Sequence, residues 1–161
     1  MAIVFLDFDG VLLPDSSALE QSQQGLTVNN YLDQVVFGAE CVINLNHILE
    51  QTHAEIVLST SWALGHPLSE LATCLDRNNI DSSRIFEYED PSLYNYMTPR
   101  KFSSNRAQEI AWWLEDHTDI SNWVALDDMQ VIRRLGPRSI ITDPTIGLTK
   151  TDAAKAIAIL N

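Results

Sequence analysis

The nine residues from Ile3 to Val11, Ile-Val-Phe-Leu-Asp-Phe-Asp-Gly-Val, limit what this chain can fold into more than any other stretch. The apolar half has no polar alternation, so it reads as a strand buried on both faces, as in a parallel sheet between layers of helix. The run ends abruptly at Asp7, Phe8, Asp9 and Gly10, and Asp9-Gly10 is a turn signal. Open α/β sheets bind their ligands beyond the carboxyl ends of the strands. Asp7 and Asp9 stand two apart on an extended chain and point to the same side. Carboxylates that close repel each other unless a cation or a shared proton relieves them. Oxygen ligands of this kind suit Mg²⁺. One Asp can then attack a phosphoryl group while the other moves the proton. Asp-x-Asp-Gly also occurs in calcium loops and ordinary turns. The calcium loop fits poorly, because Val11 stands where it needs Asp or Asn and no Glu stands at its twelfth position.

Strand and helix signals alternate along the rest of the chain, which predicts a parallel sheet covered on both faces. Strands are expected at residues 2–8, 55–59, 84–88, 122–126 and 139–142, and helices at 38–51, 68–76, from a cap at Ser103 or Ser104 to about 117, and at 149–160. Val42, Ile43, Leu45, Ile48 and Leu49 form the apolar stripe of the first of these helices. Thr149 with Asp152 three residues on suits a capping box. The result is an α/β, Rossmann-like three-layer sandwich with a central, mostly parallel five-stranded sheet. Residues 14–30 are polar, rich in Ser, Gln and Asp, and show no strong period. They read as a flap or small cap insertion, extending at most over 14–36. Nothing divides the chain, so residues 1–161 are expected to form a single domain.

Composition narrows the partners. At 161 residues the chain is long enough for a full core. Lys and Arg number 10 against 22 Asp and Glu, a net charge of -12. Such a surface repels nucleic-acid backbones and anionic lipid, so extended nucleic-acid binding is not expected, although a local basic patch can still exist. No apolar run approaches a membrane span, and the N-terminus enters a strand instead of a secretory signal. Cys41 and Cys74 form no metal or redox motif and suit a reduced, cytoplasmic protein.

Other strand ends carry matching chemistry. Ile56-Val57-Leu58 runs into Ser59-Thr60-Ser61, whose hydroxyls and amides can hold a phosphate or simply cap a helix. Trp123-Val124-Ala125-Leu126 runs into Asp127-Asp128, adjacent carboxylates that are costly without a cation unless they lie in a solvated turn. Arg106, near the start of an amphipathic helix, could offset charge at the site, although most such arginines are only solvated. Trp62 could wall the site or pack in the core. One of Trp112 and Trp113 is expected in the core. The four histidines show no metal-ligand spacing.

This ordered set resembles the haloacid dehalogenase-like (HAD) superfamily of phosphohydrolases over nearly the whole chain. The segment from Trp123 to Asp128, with Thr142-Asp143-Pro144 and Gly147-Leu148-Thr149, is similar to a small subgroup without a large cap domain, some members of which are fused to RNA-repair proteins. The resemblance implies a Mg²⁺-dependent phosphatase. Asp7 would be the nucleophile that becomes an aspartyl phosphate. Asp9 would protonate the leaving oxygen and then activate water, with its backbone carbonyl on the metal. Ser59, or Thr60 in the alternative register, would hold the phosphoryl group. Arg106, with Lys101 as its rival, would supply the balancing cation, where Lys is commoner in the superfamily. Asp128 or Asp127 would complete the Mg²⁺ ligands beside Asp7 and Asp9. Asp9 also favours phosphate chemistry over dehalogenation, which has no alkoxide to protonate. Two other classes compete. A receiver-like module also gathers acids at strand ends, but its phosphoacceptor follows the third strand; a degenerate, catalytically weak interaction scaffold would not need every group to be present. The substrate class and the oligomeric state are not legible in the sequence.

Overall fold

A computed structural model of the chain describes residues 1–25, 32–87, 96–101 and 103–161. Strand β1 (Ala2–Leu6) lies inside a parallel sheet, flanked by β2 (Glu55–Leu58) and β3 (Asn122–Asp127), with β4 (Ser139–Ile141) beyond β3. The order is β2-β1-β3-β4, with Leu6 paired to Leu58 on one side and to Leu126 on the other. Every residue of β1 is buried, and its side chains divide by the two-residue period of a strand. Val4 and Leu6 enter one apolar cluster, Ile3 and Phe5 the other. The uninterrupted apolar run of the sequence is therefore two half-cores sharing one strand.

Helices cover both faces. On the Val4 face, α2 (Ala39–Thr52) buries Cys41, Val42, Leu45, Ile48 and Leu49, positions three and four apart that form one side of a helix. It ends at His53 in the left-handed region, with φ 52°. On the same face, α3 (Leu68–Arg77) buries Leu71, Cys74 and Leu75, and α5 (Lys150–Leu160) buries Ala153, Ala156 and Leu160. The Ile3 face is covered by α4 (Arg106–Asp116) through Ile110 and Trp113, together with Ile132 of the 3₁₀ segment Gln130–Arg138. Trp113 meets Phe5 edge-on at 5.2 Å and stacks on the buried His117 at 3.7 Å, whereas Trp112 is half-buried beneath Lys101. The capping box of Thr149 and Asp152 forms as expected. No helix among the described residues is long and apolar enough to cross a membrane.

Three expectations change. The sheet has four strands among the described residues, not five. The strand expected at 84–88 becomes a 3₁₀ turn, Ser82–Arg84, followed by single bridges from Ile85 to Ile56 and from Met97 to Leu58. Tyr88 lies outside the described residues. The cap of α4 is Asn105, which forms a capping box with Gln108. Ser103 adopts φ 61° instead, and the hydroxyl of Ser104 is committed to Glu109. The polar stretch after β1 contains a helix, α1 (Asp15–Gln23), which buries none of its residues. Without an apolar stripe to bury, α1 leaves no periodic trace in the sequence. Residues 26–31 of the suspected flap lie outside the described residues, and beyond them Leu32, Val35 and Phe37 rejoin the core.

Candidate active site

The chain turns to one side of β1 to reach β2 and then crosses to the other side to build β3. The crevice beyond Leu6 and Leu126 is thus a topological switch point, where α/β sheets bind ligands. Asp7 follows β1, which is buried throughout, and Asp127 ends β3, whose last four residues are buried, so both carboxylates arrive there from the core. The Asp7 amide donates to the Leu126 carbonyl at 3.1 Å, carrying the ladder one residue past the strand. Ligand atoms of Asp7, Asp127 and Asp128 lie within 4.8 Å of one another.

One guanidinium sits among them. Arg106, the first residue of α4, is 4% exposed. Its Nε donates to Asp127 Oδ2 at 2.8 Å, its Nη2 to Asp7 Oδ2 at 3.3 Å, and its Nη1 to Glu109 Oε2 at 3.2 Å. The planar fork reaches three carboxylates at once, which a lysine ammonium on a flexible stem does less well. Glu109, one helical turn on, is itself buried and also accepts from the Ser104 hydroxyl at 2.7 Å and from Arg100. Lys101, the rival cation, makes no ion pair with this cluster. Its ammonium lies over the Trp112 ring, 4.2 Å from the centroid.

Electrostatics follow from this crowding. Burial pushes the Asp7 carboxyl up to about 7; Arg106 opposes the rise and Asp127 adds to it. Asp127 is also raised, chiefly by burial, against the pull of Arg106 and of the Met129 amide that donates to it at 2.8 Å. Asp128, half-buried, is raised by burial and then by Asp15 and Asp9. Burial alone would lower Arg106, but Asp7, Asp127 and Glu109 outweigh it and hold the guanidinium charged. Two arginines, Arg106 and Arg100, against Asp7, Asp127, Asp128 and Glu109 leave the cluster short of positive charge. All its donors are hard oxygens, so the residues present fit Mg²⁺ better than a soft or borderline metal.

The loop after Asp7 is shaped for close approach. Gly10 has φ +67°, and a Cβ there would stand 2.6 Å from Asp128 Oδ2. The Thr142 hydroxyl, just past β4, donates to the Gly10 carbonyl at 2.8 Å, and the Leu148 amide to the Val11 carbonyl. Asp143 makes a turn by accepting from Thr145 and is itself exposed. Ser59 continues past β2 beside Asp7, with its amide on the Leu6 carbonyl at 2.9 Å. Its hydroxyl is buried with no hydrogen-bond partner among the described residues. Leaving such a group unpaired costs about 1–3 kcal/mol, so the position is shaped to meet a further polar atom. Thr60 is buried next to it; its hydroxyl works against the rise in the Asp7 pKa and accepts from the Trp62 amide at 3.3 Å.

The structure therefore brings together Asp7, Asp127, Asp128, Arg106, Ser59 and Thr60, and leaves Lys101 aside. The Asp9 carboxylate stands apart from the three grouped acids. It is exposed and accepts from the Trp62 indole Nε1 at 2.8 Å. One partner, Glu109, escapes the sequence reading, and so does the contact with Asp9 made by Trp62, which was expected to wall the site or pack in the core. Glu109 has a faint signal, since it lies three residues from Arg106 on one helix face. The Trp62 contact spans 53 residues of chain and has none. A family model described as the HAD domain in Swiss Army Knife RNA repair proteins matches residues 3–153. No curated protein and no solved structure matches the chain.

Proposed function

The chain belongs to the family of HAD domains found in Swiss Army Knife RNA repair proteins, and from that premise we propose that it is a Mg²⁺-dependent phosphatase that hydrolyses a phosphate monoester through an aspartyl phosphate on Asp7. HAD membership suggests phosphohydrolase-type chemistry. The finer reading is carried by one observation, the convergence of Asp7, Asp127 and Asp128 within 4.8 Å around a single buried guanidinium. Asp7 has its Oδ1 held by the Phe8 amide at 2.7 Å and its Oδ2 by Arg106. The carboxylate is thereby fixed at the mouth of the crevice, as in-line attack requires.

In this mechanism a carboxylate oxygen of Asp7 forms a bond to phosphorus. The ester P–O bond breaks, and the leaving oxygen takes a proton from Asp9. Asp9 then accepts a proton from water as that water attacks phosphorus, which releases inorganic phosphate and restores the Asp7 carboxylate. The Ser59 hydroxyl donates to a phosphoryl oxygen, and Arg106 balances charge on Asp7 and Asp127. Asp7, Asp127 and Asp128 would hold Mg²⁺, together with the Asp9 carbonyl, and the ion would neutralise the phosphoryl oxygens and favour ionised Asp7.

The substrate is proposed to be a phosphorylated small molecule or a phosphorylated chain end. The net charge of -12 disfavours long contact with nucleic acid, and the described residues contain no large cap domain to enclose a small ligand completely. The deciding experiment measures turnover of an aryl phosphate with Mg²⁺, beside a search for a hydroxylamine-labile phosphoryl group on Asp7. Labelling by a small phosphodonor without turnover of esters would favour a receiver-like module instead.

A further inference from the structure

The Trp62 indole is buried, yet its one polar atom reaches an exposed side chain, the Asp9 carboxylate. A buried indole N–H needs an acceptor, and many would serve. An exposed carboxylate has water available and needs no donor from the core. Here the exposed group is tethered by the rigid one. Trp62 is itself fixed on three sides. Phe8 meets its ring edge-on at 5.2 Å, Phe37 lies at 6.0 Å, and its amide is capped by the Thr60 hydroxyl. Phe8 and Phe37 pack together at 5.2 Å, so Trp62 closes a three-ring cluster directly under the loop carrying Asp7 and Asp9.

We propose that Trp62 is a positioning residue that orients Asp9 for proton delivery; this rests on the phosphatase reading. Indole Nε1 donates and never accepts. The indole N–H takes up Oδ2 of Asp9, which leaves Oδ1 as the oxygen free to face the leaving group. The tether also removes the free rotation of a surface carboxylate about its side-chain bonds. In the first step the Asp7–phosphorus bond forms, the ester P–O bond breaks, and its electron pair goes to the leaving oxygen, which collects the Oδ1 proton. An alkyl leaving oxygen needs that proton badly; a nitrophenolate hardly needs it.

The test compares kcat/KM, which reports formation of the aspartyl phosphate, for an alkyl phosphate and for nitrophenyl phosphate with Mg²⁺. Trp62→Phe keeps an aromatic ring and loses the N–H. The expected result is a loss at least about tenfold greater for the alkyl ester than for the aryl ester, because misplaced general acids lose rate in proportion to the need for them. Independently of turnover, the indole ¹H–¹⁵N resonance that disappears in Trp62→Phe should shift in Asp9→Ala. Equal losses on both esters in Trp62→Phe, or an indole resonance indifferent to Asp9→Ala, overturns the positioning role and leaves the phosphatase reading standing. A wild-type protein that turns over neither ester overturns the phosphatase reading and this role with it.

Discussion

Asp7 meets Arg106 where both side chains are almost out of water, and that contact makes each of them sensitive to single substitutions. Asp7→Asn is nearly isosteric but cannot form an acyl phosphate, so it should abolish turnover while the fold persists. Near-normal rates from the folded variant would remove Asp7 as the nucleophile. Glu109 never reaches the crevice, but it anchors the guanidinium that does. Glu109→Gln weakens charge-assisted hydrogen bonds to Arg106, Arg100 and Ser104 and should cost about 2 kcal/mol, measured by urea unfolding. Gly10→Ala faces two penalties, a positive φ and a Cβ against Asp128 Oδ2. The backbone alone should cost about 1–2 kcal/mol. The displaced Asp128 should also weaken Mg²⁺ binding by calorimetry. Unchanged affinity in Gly10→Ala would separate Asp128 from the metal.

Among the elements, α4 and α1 stand at opposite extremes. Helix α4 delivers Arg106 at its first residue, so its start must be set to within one position. The capping box of Asn105 and Gln108 does this, and Asn105→Ala should cost about 1 kcal/mol of stability and loosen the Arg106 fork. Helix α1 buries nothing, and Leu19 stays 61% exposed. Its ties are few, chiefly the Asp15 amide on the Pro144 carbonyl and a paired contact between the Gln21 side chain and the Val36 backbone. Asp15 is near enough to Asp128 to raise its pKa, so α1 begins beside the crevice. Replacing α1 by a short linker is therefore expected to change KM or substrate range while Tm moves only slightly. Global unfolding of the shortened protein would assign α1 to the core.

For the molecule as a whole, the buried acids link stability to pH and to metal. The Asp7 carboxyl is raised from 3.8 to about 7, so the folded state holds a proton that the unfolded chain releases. Its ionisation costs the fold nothing below pH 3.8. The cost grows as pH rises toward 7 and is complete above it, on the order of a few kcal/mol. A cation that takes the place of the proton should therefore stabilise most at high pH. The rise in Tm on adding Mg²⁺ should be small at pH 5 and large at pH 8, and Asp7→Asn should flatten that difference. Equal shifts at both pH values would mean that the ion binds elsewhere.

The architecture and the acidic strand ends are legible in the order of residues alone. An unbroken apolar strand fits only between two covering layers, and Asp-x-Asp-Gly, Ser59-Thr60 and Asp127-Asp128 are each written in consecutive residues. These are local patterns, and local patterns survive in a linear string. The sequence did not determine which cation enters the crevice. Arg106 and Lys101 are five positions apart and share a sign; the phase of α4 set by the Asn105 cap buries one among carboxylates and leaves the other over Trp112. The fifth strand failed for a similar reason, since its place at the β2 edge is held by two isolated bridges at Ile85 and Met97. The tether from Trp62 to Asp9 is a product of the tertiary structure alone. Donor and acceptor meet because β1 and β2, far apart in sequence, end at one edge of one sheet.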